Sequence, residues 1–332
     1  MNPTYQLTRE ALYKGLNFLL TTHVNPDGDA IGSVLGLKHA LESMSKSVVV
    51  MLPSPCPDNL LWMPAAESMK VWTGAESDLA LLHTADTIVV LDLNTLKRLG
   101  SLGEAITSAT SATVINIDHH AEPDAFATVA CIDVDAPSTT SMLVEMISDE
   151  HLTSDAARCL YTGIMTDTGS FRFPRTTSQT FEQAARLLDA GADPVEAYER
   201  TINVNTFSRI NLLGAALNSM QLHADGRLCI MTVSLQDLSR AQATIDDTDG
   251  FVQHTLSITG VEMGILFVEL TDTIKVSFRS KGATHVRVLA ATYGGGGHDH
   301  AAGARFPGET LAAVIDRVVR DAVSVFLSGT SR

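Results

Sequence analysis

Apolar, β-branched runs that alternate with helical patterns constrain the fold of this chain more than any other feature. In the first half, the strand-like runs cover 17–23, 47–52, 87–93 and 112–120. The helical patterns between and after them cover 30–43, 138–150, 153–166 and 177–190. Strands that alternate with helices predict a parallel sheet with helices on both faces, because each parallel connection needs a crossover. The first half is therefore expected to be α/β.

A second, smaller domain is predicted beyond 191–212. Gly191 and Pro194 end a helical pattern there, and a polar stretch follows. Strand-like runs then cover 228–233, 261–270 and 273–280, with a hairpin turn at 272–275 and helical patterns at 285–293 and 309–327. A chain of 332 residues is long enough for two cores. We expect a first domain over 1–190, a linker over 191–212, and an α+β domain with a mixed sheet over 213–332.

Composition limits the kinds of partner that we expect the protein to bind. The formal net charge is −15, whereas a protein that holds long nucleic acid needs a basic face. No apolar run approaches the roughly 20 residues of a membrane helix. The first fifteen residues lack a signal-peptide core, and the four cysteines form no CxxC pair. We expect a cytoplasmic protein without membrane partners or stably bound long nucleic acid.

Polar side chains lie at the C-terminal ends of three predicted strands. His23 ends the run at 17–23 and is followed by Asp27 and Asp29, Asp92 lies at the end of the run at 87–93, and Asp118-His119-His120 ends the run at 112–120. Because the carboxyl ends of parallel strands meet at one edge of a sheet, these clusters are expected to converge there. Asp167, in the segment GIMTDTGSF, ends a helical pattern among small residues. The candidate ligands are His23, Asp27, Asp29, Asp92, His119 and Asp167.

Carboxylates and imidazoles without thiolates suit manganese or magnesium better than structural zinc. Four aspartates carry four negative charges, which two divalent ions would balance and one would not. Each cluster also has a plainer interpretation when it is taken alone. Asp27 and Asp29 would cap a helix and be solvated, and Asp92 would be a turn residue. The co-occurrence of the clusters favours a site for two metal ions.

Two segments of the second half are candidate phosphate binders. Four glycines, including Gly296 and Gly297, precede His298 and would expose backbone N–H groups to a ligand. The segment FRSKG contains Arg279 and Ser280, and arginine can hold phosphate with two hydrogen bonds. The alternatives are a flexible hinge for the glycines and a solvated turn for FRSKG.

Together these motifs resemble the DHH phosphoesterase superfamily, named for the triplet that stands here at Asp118-His119-His120. The order HVNPDGDAIGS, Asp92, DHH, GIMTDTGSF, FRSKG and GGGGHDHAAGA matches that superfamily over nearly the whole chain. The segments FRSKG and GGGGHDHAAGA are similar to its DHH-associated C-terminal domain. The chain is most similar to the short oligoribonuclease/pAp-phosphatase members.

The resemblance implies a catalytic first domain and a substrate-binding second domain. It implies one metal held by His23, Asp27 and Asp92, and another held by Asp29, Asp92, His119 and Asp167. Asp118 would support His119, and His120 would face the substrate, so that Asp92, Asp118, His119 and His120 form the catalytic set. The substrate's phosphate would be bound across an interdomain cleft by Arg279, Ser280, Gly296, Gly297 and His298.

The expected reaction is attack on phosphorus by a water that both metals activate, with manganese the expected metal and magnesium the alternative. The expected substrates are RNAs of two to five nucleotides, pApA and 3′-phosphoadenosine 5′-phosphate. A cyclic di-AMP phosphodiesterase is the nearest alternative. A single-strand DNA exonuclease, a pyrophosphatase and a non-catalytic nucleotide sensor are less favoured, and a homodimer is left open. The segment Asp92-Leu93-Asn94 and the pair Asp299-His300 depart from the family pattern.

Overall fold

The computed structural model describes residues 3–108 and 111–328. The chain divides into two compact units between Val204 and Asn205. That division lies within the predicted linker, but two stretches of the linker range, 194–201 and 207–212, are helical. The ends of the predicted domains, at 1–2 and 329–332, lie outside the described residues.

In the first unit, helices and strands alternate. The helices are α1 (Pro3–Lys14), α2 (Gly28–Ser43), α3 (Glu76–Thr84), α4 (Ser101–Ser108), α5 (Thr139–Met146), α6 (Ser154–Asp167), α7 (Ser178–Asp189) and α8 (Pro194–Thr201). The strands are β1 (Asn17–Thr21), β2 (Ser47–Leu52), β3 (Lys70–Val71), β4 (Thr87–Leu91), β5 (Thr113–Asp118) and β6 (Val129–Ile132).

These six strands form one parallel sheet in the order β3-β2-β1-β4-β5-β6. The chain leaves β1 toward β2 on one side, and β4 lies on the other side of β1. This reversal of direction leaves a crevice at the carboxyl ends of β1 and β4, where ligands bind in open α/β sheets. The predicted α/β class and parallel sheet are confirmed.

Apolar cores cover both faces of this sheet. On one face, Leu20 and Val89 pack with residues of α2, α5 and α6. On the other face, Leu19 and Ile88 pack with residues of α3 and α4. Neighbouring residues of a strand point to opposite faces, so strands that are apolar throughout must be covered twice.

Helix α2 approaches α6 unusually closely through glycines that lie on one of its faces. A Cβ atom on Gly28 would clash with the side chain of Thr166, and one on Gly32 would clash with the carbonyl oxygen of Cys159. Glycine at these two positions therefore lets the helix backbones meet. The contact draws the start of α2, which carries Asp29, toward the end of α6, which carries Asp167.

The second unit is built on a mixed sheet, as predicted. Its helices are α9 (Phe207–Asn218), α10 (Leu235–Ala241), α11 (Gln253–Leu256), α12 (Arg287–Ala291) and α13 (Leu311–Ser328). Its strands are β7 (Gln221–His223), β8 (Leu228–Val233), β9 (Met263–Glu269), β10 (Thr273–Ser280), β11 (Gly296–His298) and β12 (Ala301–Pro307). Their order is β11-β12-β10-β9-β8-β7, with β8 and β9 parallel and the other neighbours antiparallel.

Two local expectations need correction here. The turn between β9 and β10 lies at Thr271-Asp272, because Thr273 already pairs within the sheet. No strand was predicted over 294–307, but Gly296–His298 and Ala301–Pro307 form the hairpin β11–β12. Pairing of β12 with β10 decides this outcome, since strand preference depends on the neighbouring strands more than on the residue. Among the described residues, no helix has the length and apolarity that crossing a membrane requires.

Candidate metal centre

The carboxyl ends of β1, β4 and β5 carry the polar clusters that the sequence singles out. His23 follows β1, Asp92 follows β4 directly, and His119 follows β5. Asp27 precedes α2, and Asp167 is the last residue of α6. The structure brings all six predicted ligands to this one end of the sheet, in overlapping groups whose ligand atoms lie within 4.8 Å of one another.

Asp92 lies between the two histidines of the cluster. Its Oδ2 atom is 3.5 Å from Nε2 of His23, and its Oδ1 atom is 3.6 Å from Nε2 of His119. Its backbone has φ 58°, a left-handed conformation that costs energy in a residue other than glycine. The residue is 2% exposed, and Thr139 Oγ1 donates to its Oδ1 at 3.1 Å. This arrangement suits a carboxylate that bridges two cations.

Backbone carbonyl groups orient both histidines. Nδ1 of His23 is 2.9 Å from the oxygen of Val24, and Nδ1 of His119 is 3.2 Å from the oxygen of Ala136. A proton held on Nδ1 by a carbonyl oxygen leaves the Nε2 lone pair free as a metal ligand. Burial lowers the pKa of His23, which keeps its imidazole in the neutral form that binds metals.

Asp27 fits both interpretations of its sequence, as a helix cap and as a metal ligand. Its Oδ1 atom accepts hydrogen bonds from the backbone N–H groups of Asp29 and Ala30 at 3.1 and 3.0 Å, so it caps α2. The same side chain lies within ligand distance of His23 and Asp92. A carboxylate has about four lone-pair positions, so the cap leaves acceptor capacity for a cation.

Asp29, in the first turn of α2, is almost fully buried where its side chain meets the N-terminus of α5. Its Oδ2 atom accepts from the Thr139 N–H at 2.7 Å, and its Oδ1 atom accepts from the N–H and Oγ1 of Thr140 at 2.9 and 2.5 Å. The positive end of a helix dipole stabilises a carboxylate placed there. Three hydrogen bonds fix the group and leave Oδ2 able to accept one more partner.

The pKa values show that protein groups alone do not satisfy the charges of this cluster. Burial raises the pKa of Asp92 well above its usual range, and the surrounding aspartates raise it further. Burial raises the pKa of Asp167 to about 8, with Asp29 and Asp27 adding to the rise and Arg175 opposing it. Burial also raises the pKa of Asp29. Carboxylates that burial and mutual repulsion penalise are satisfied by divalent cations.

The donor set fits divalent metal ions. One group joins His23, Asp27 and Asp92, and another joins Asp29, His119 and Asp167. Both combine imidazole nitrogens with carboxylate oxygens and contain no thiolate, the ligand set that manganese and magnesium take in proteins.

One expected contact is not formed. Asp118 was expected to support His119, but its Oδ1 atom accepts from Nδ1 of His120 at 2.7 Å. Nδ1 of His120 also lies 3.7 Å from Oδ1 of Asp92, and the His120 side chain is about two-fifths exposed. The Asp118–His120 pair therefore adjoins the ligand cluster at Asp92.

The predicted phosphate-binding residues of the second unit fall on two faces of its sheet. Arg279 pairs with Ala301 in β12, and Ala301 pairs with His298 in β11, so Arg279 and His298 flank the small Ala301 on one face. Ser280 is the next residue along β10 and points to the opposite face, where its Oγ lies 3.0 Å from Nδ1 of His300. Gly296, Gly297 and His298 are exposed, as the sequence led us to expect.

Sequence reasoning missed two groups of residues at the centre. Thr139 and Thr140 donate to Asp29 and Asp92 from the start of α5, and the segment Ser138-Thr139-Thr140 has the composition of a helix cap. Arg175 places Nη1 3.5 Å from Nδ1 of His119, and no local pattern marks it. Both depend on tertiary contacts between elements distant in sequence.

Two sequence profiles cover most of the chain. The DHH family, N-terminal domain, matches residues 17–164, and the DHHA1 domain matches residues 225–324. The chain is 31% identical over 302 residues to the bifunctional oligoribonuclease and PAP phosphatase NrnA of Thermus thermophilus, with 90% of this chain and 87% of that protein covered. It is 29% identical over 297 residues to the protein of the same name from Bacillus subtilis, with 86% and 88% covered.

A solved structure shares the whole architecture. The crystal structure of an exopolyphosphatase-related protein from Bacteroides fragilis matches with a TM-score of 0.89 and 30% sequence identity, over 98% of both chains. The likeness extends through both units.

Proposed function

The chain belongs to the DHH family and is a divalent-metal-dependent hydrolase of phosphoester bonds, and we propose from that premise that it acts on short nucleotides. The substrates would be oligoribonucleotides of a few residues, linear dinucleotides such as pApA, and 3′-phosphoadenosine 5′-phosphate. The relatives from Thermus thermophilus and Bacillus subtilis, each named an oligoribonuclease and PAP phosphatase, support this choice. The net charge of −15 also favours short substrates over long nucleic acid.

The observation that carries the proposal is the position of Asp92 between His23 and His119. We propose that His23, Asp27 and Asp92 hold one divalent ion and that Asp29, Asp92, His119 and Asp167 hold a second. Two such ions supply an activated water and offset the charge that develops on the phosphoryl oxygens. Manganese is the proposed metal, because the site mixes imidazole with carboxylate ligands.

His120 is the proposed proton donor to the leaving oxygen. Asp118 accepts from Nδ1 of His120 at 2.7 Å, which fixes the orientation of the ring. An aspartate plays this part for a catalytic histidine in other hydrolases. Nε2 of His120 then carries the proton that the leaving oxygen takes up. This role needs no covalent intermediate with the chain.

Arg279 and His298 are the proposed phosphate binders of the second unit. They flank Ala301 on one face of the sheet, and its methyl group leaves space between them. Arg279 Nη1 donates to the oxygen of Phe278 at 3.0 Å, which leaves further guanidinium N–H groups for a ligand. Ser280 is a weaker candidate because it faces the other side of β10.

A rate comparison tests the proposed substrates. The full chain is assayed with manganese, and separately with magnesium, on pApA, a five-residue RNA, 3′-phosphoadenosine 5′-phosphate and cyclic di-AMP. We expect the three linear substrates to be cleaved and manganese to give the higher rates. Cleavage of cyclic di-AMP alone would replace the proposal by the cyclic-dinucleotide function.

The substrate-binding residues have a matched control. Replacing His298 or Arg279 by alanine should raise KM about tenfold and leave kcat within about threefold, because each removes a charge-assisted hydrogen bond to a bound phosphate. Arg240→Ala removes an exposed arginine of α10 in the same unit and should leave KM unchanged. A rise in KM of the same size in the control would attribute the effect to net charge and remove the specific assignment.

A further inference from the structure

Arg175 is an exposed arginine that touches the metal-ligand cluster. Its Nη1 atom lies 3.5 Å from Nδ1 of His119, and it opposes the rise in the pKa of Asp167. Nδ1 of His119 already donates its proton to the oxygen of Ala136 at 3.2 Å. Arginine has donors and no acceptor, so two donors meet here and the ring does not satisfy the guanidinium.

The backbone around Arg175 is well held although its side chain is exposed. The N–H groups of Arg172 and Phe173 donate to the oxygen of Thr168 at 2.9 and 3.0 Å. The N–H group of Thr176 donates to the oxygen of Phe173 at 2.9 Å, which closes a β-turn with Pro174 as its second residue. The turn fixes the Cα atom of Arg175 relative to the end of α6, and its side chain extends from the tip of the turn.

The charge of Arg175 has no acidic partner within 4.0 Å among the residues that the structure describes. Its Nη1 atom approaches the Nδ1 atom of His119. Nε2 faces Asp92 and Asp167, where the second metal would be held. The exposed guanidinium therefore lies at the edge of the cluster, beside the ring of a proposed metal ligand.

We propose that Arg175 binds a second phosphate group of the substrate, adjacent to the one that is hydrolysed. This inference rests on the proposed function. An exposed guanidinium that has no acidic partner among the described residues and lies beside the ligand cluster can hold a phosphate group with two hydrogen bonds. The site would thus select nucleotides that carry two phosphate groups, such as pApA and 3′-phosphoadenosine 5′-phosphate, over a dinucleoside with a single phosphodiester.

Paired substrates and a neighbouring arginine test the assignment. The wild type, Arg175→Ala, Arg175→Lys and Arg172→Ala are assayed with manganese on pApA and on ApA, which lacks the terminal phosphate. Arg172 is exposed on the same loop, and its Nε donates to the oxygen of Gly169 at 2.6 Å, so it controls for loop charge. Thermal melting of each variant verifies that it folds.

Arg175→Ala should lower kcat/KM on pApA about tenfold, mainly through KM, and should change it less than twofold on ApA. Arg175→Lys should be intermediate on pApA, because lysine keeps the charge but loses the two-pronged geometry. Arg172→Ala should retain the wild-type preference for pApA. Equal losses on both substrates, no loss on either, or the same loss in Arg172→Ala would overturn the proposal.

A binding experiment separates this proposal from the proposed function. Phosphorothioate-linked dinucleotides with and without a terminal phosphate are titrated into the metal-loaded protein by calorimetry. The wild type should bind the phosphorylated ligand about tenfold more tightly, and Arg175→Ala should bind the two equally. If the wild type cleaves neither pApA nor ApA, the proposed substrates are wrong. A preference that depends on Arg175 would still support the second phosphate site, and its absence would overturn that site.

Discussion

The carboxylates at the two ends of β4 have opposite surroundings, and their pKa values shift in opposite directions. Asp86, just before the strand, accepts hydrogen bonds from the N–H groups of Leu16 and Asn17 and from the hydroxyl of Thr87, at 2.8 to 3.2 Å. Its partial burial acts to raise its pKa, but these donors outweigh that effect and the pKa lies below its usual value. Asp92, just after the strand, is buried among other carboxylates and has a raised pKa.

The difference separates a structural carboxylate from a functional one. Before β4, the protein supplies the donors that the negative charge of Asp86 needs. After β4, Asp92 lies among further carboxylates, whose charges divalent cations would offset. A buried group that its own protein destabilises is a mark of a functional site.

The largest difference in kcat is expected when the aspartate at each end of β4 is replaced by asparagine. Asp92→Asn should lower kcat at least about 1000-fold, because a neutral amide cannot bridge two cations. Asp86→Asn should leave kcat within about twofold. Melting in the absence of metal should show that Asp92→Asn is folded and no less stable than the wild type, since it removes a buried charge. Activity within tenfold of the wild type in Asp92→Asn would remove the bridging role.

A smaller loss of kcat is expected when the hydrogen bond between Asp118 and His120 is weakened. Asp118→Asn should lower kcat by about 10- to 100-fold, because a neutral amide holds the His120 ring less strongly than the carboxylate does. Affinity for manganese should stay within about threefold, because Asp118 does not contact His119. A tenfold weaker affinity for the metal would instead support the contact with His119 that the sequence led us to expect.

Metal removal should lower Tm by different amounts in variants at the two ends of β4. Ions that bind only the folded state, at 100 times their Kd, add about 2.7 kcal/mol, or about 5–10 °C in Tm for a unit of this size. A chelator should therefore lower the Tm of the wild type and of Asp86→Asn by similar amounts. The shift for Asp92→Asn should be less than half as large. Equal shifts in all three proteins would locate the stabilising ions elsewhere.

The smallest effect concerns Asp86 and its dependence on pH. A carboxylate with a lowered pKa in the folded state adds stability above its unfolded pKa of about 3.9, and loses it as the pH falls through the folded pKa. Asp86 is exposed, so Asp86→Asn should cost less than about 1 kcal/mol at neutral pH. Denaturant unfolding should show the difference shrinking below about pH 4, whereas a constant difference would mean that packing is responsible.

The regular elements could be read from the sequence where burial alone decides them. The strands at 47–52, 228–233 and 273–280 have the bounds that were predicted, because each is a run of apolar or alternating residues. The hairpin β11–β12 could not be predicted in the same way, since glycine and alanine acquire strand conformation there only by pairing with β10. The short edge strands β3 and β7 depend on their neighbours for the same reason.

The ligand cluster could be predicted because its residues occupy strand ends and one helix end, which topology brings together. The contacts within it could not. Whether Asp118 meets His119 or His120 depends on the backbone direction after β5, and Arg175 reaches His119 through a turn 56 residues away in sequence. Ser280 was grouped with Arg279 although neighbouring strand residues point to opposite faces.

Metal stoichiometry tests the central claim most directly. The wild type, Asp92→Asn and Asp86→Asn are stripped of metal, and each is titrated with manganese by calorimetry, with metal analysis after removal of excess ions. The account predicts two ions per chain in the wild type and in Asp86→Asn, and at most one in Asp92→Asn. A single ion in the wild type, or two tightly bound ions in Asp92→Asn, would contradict it.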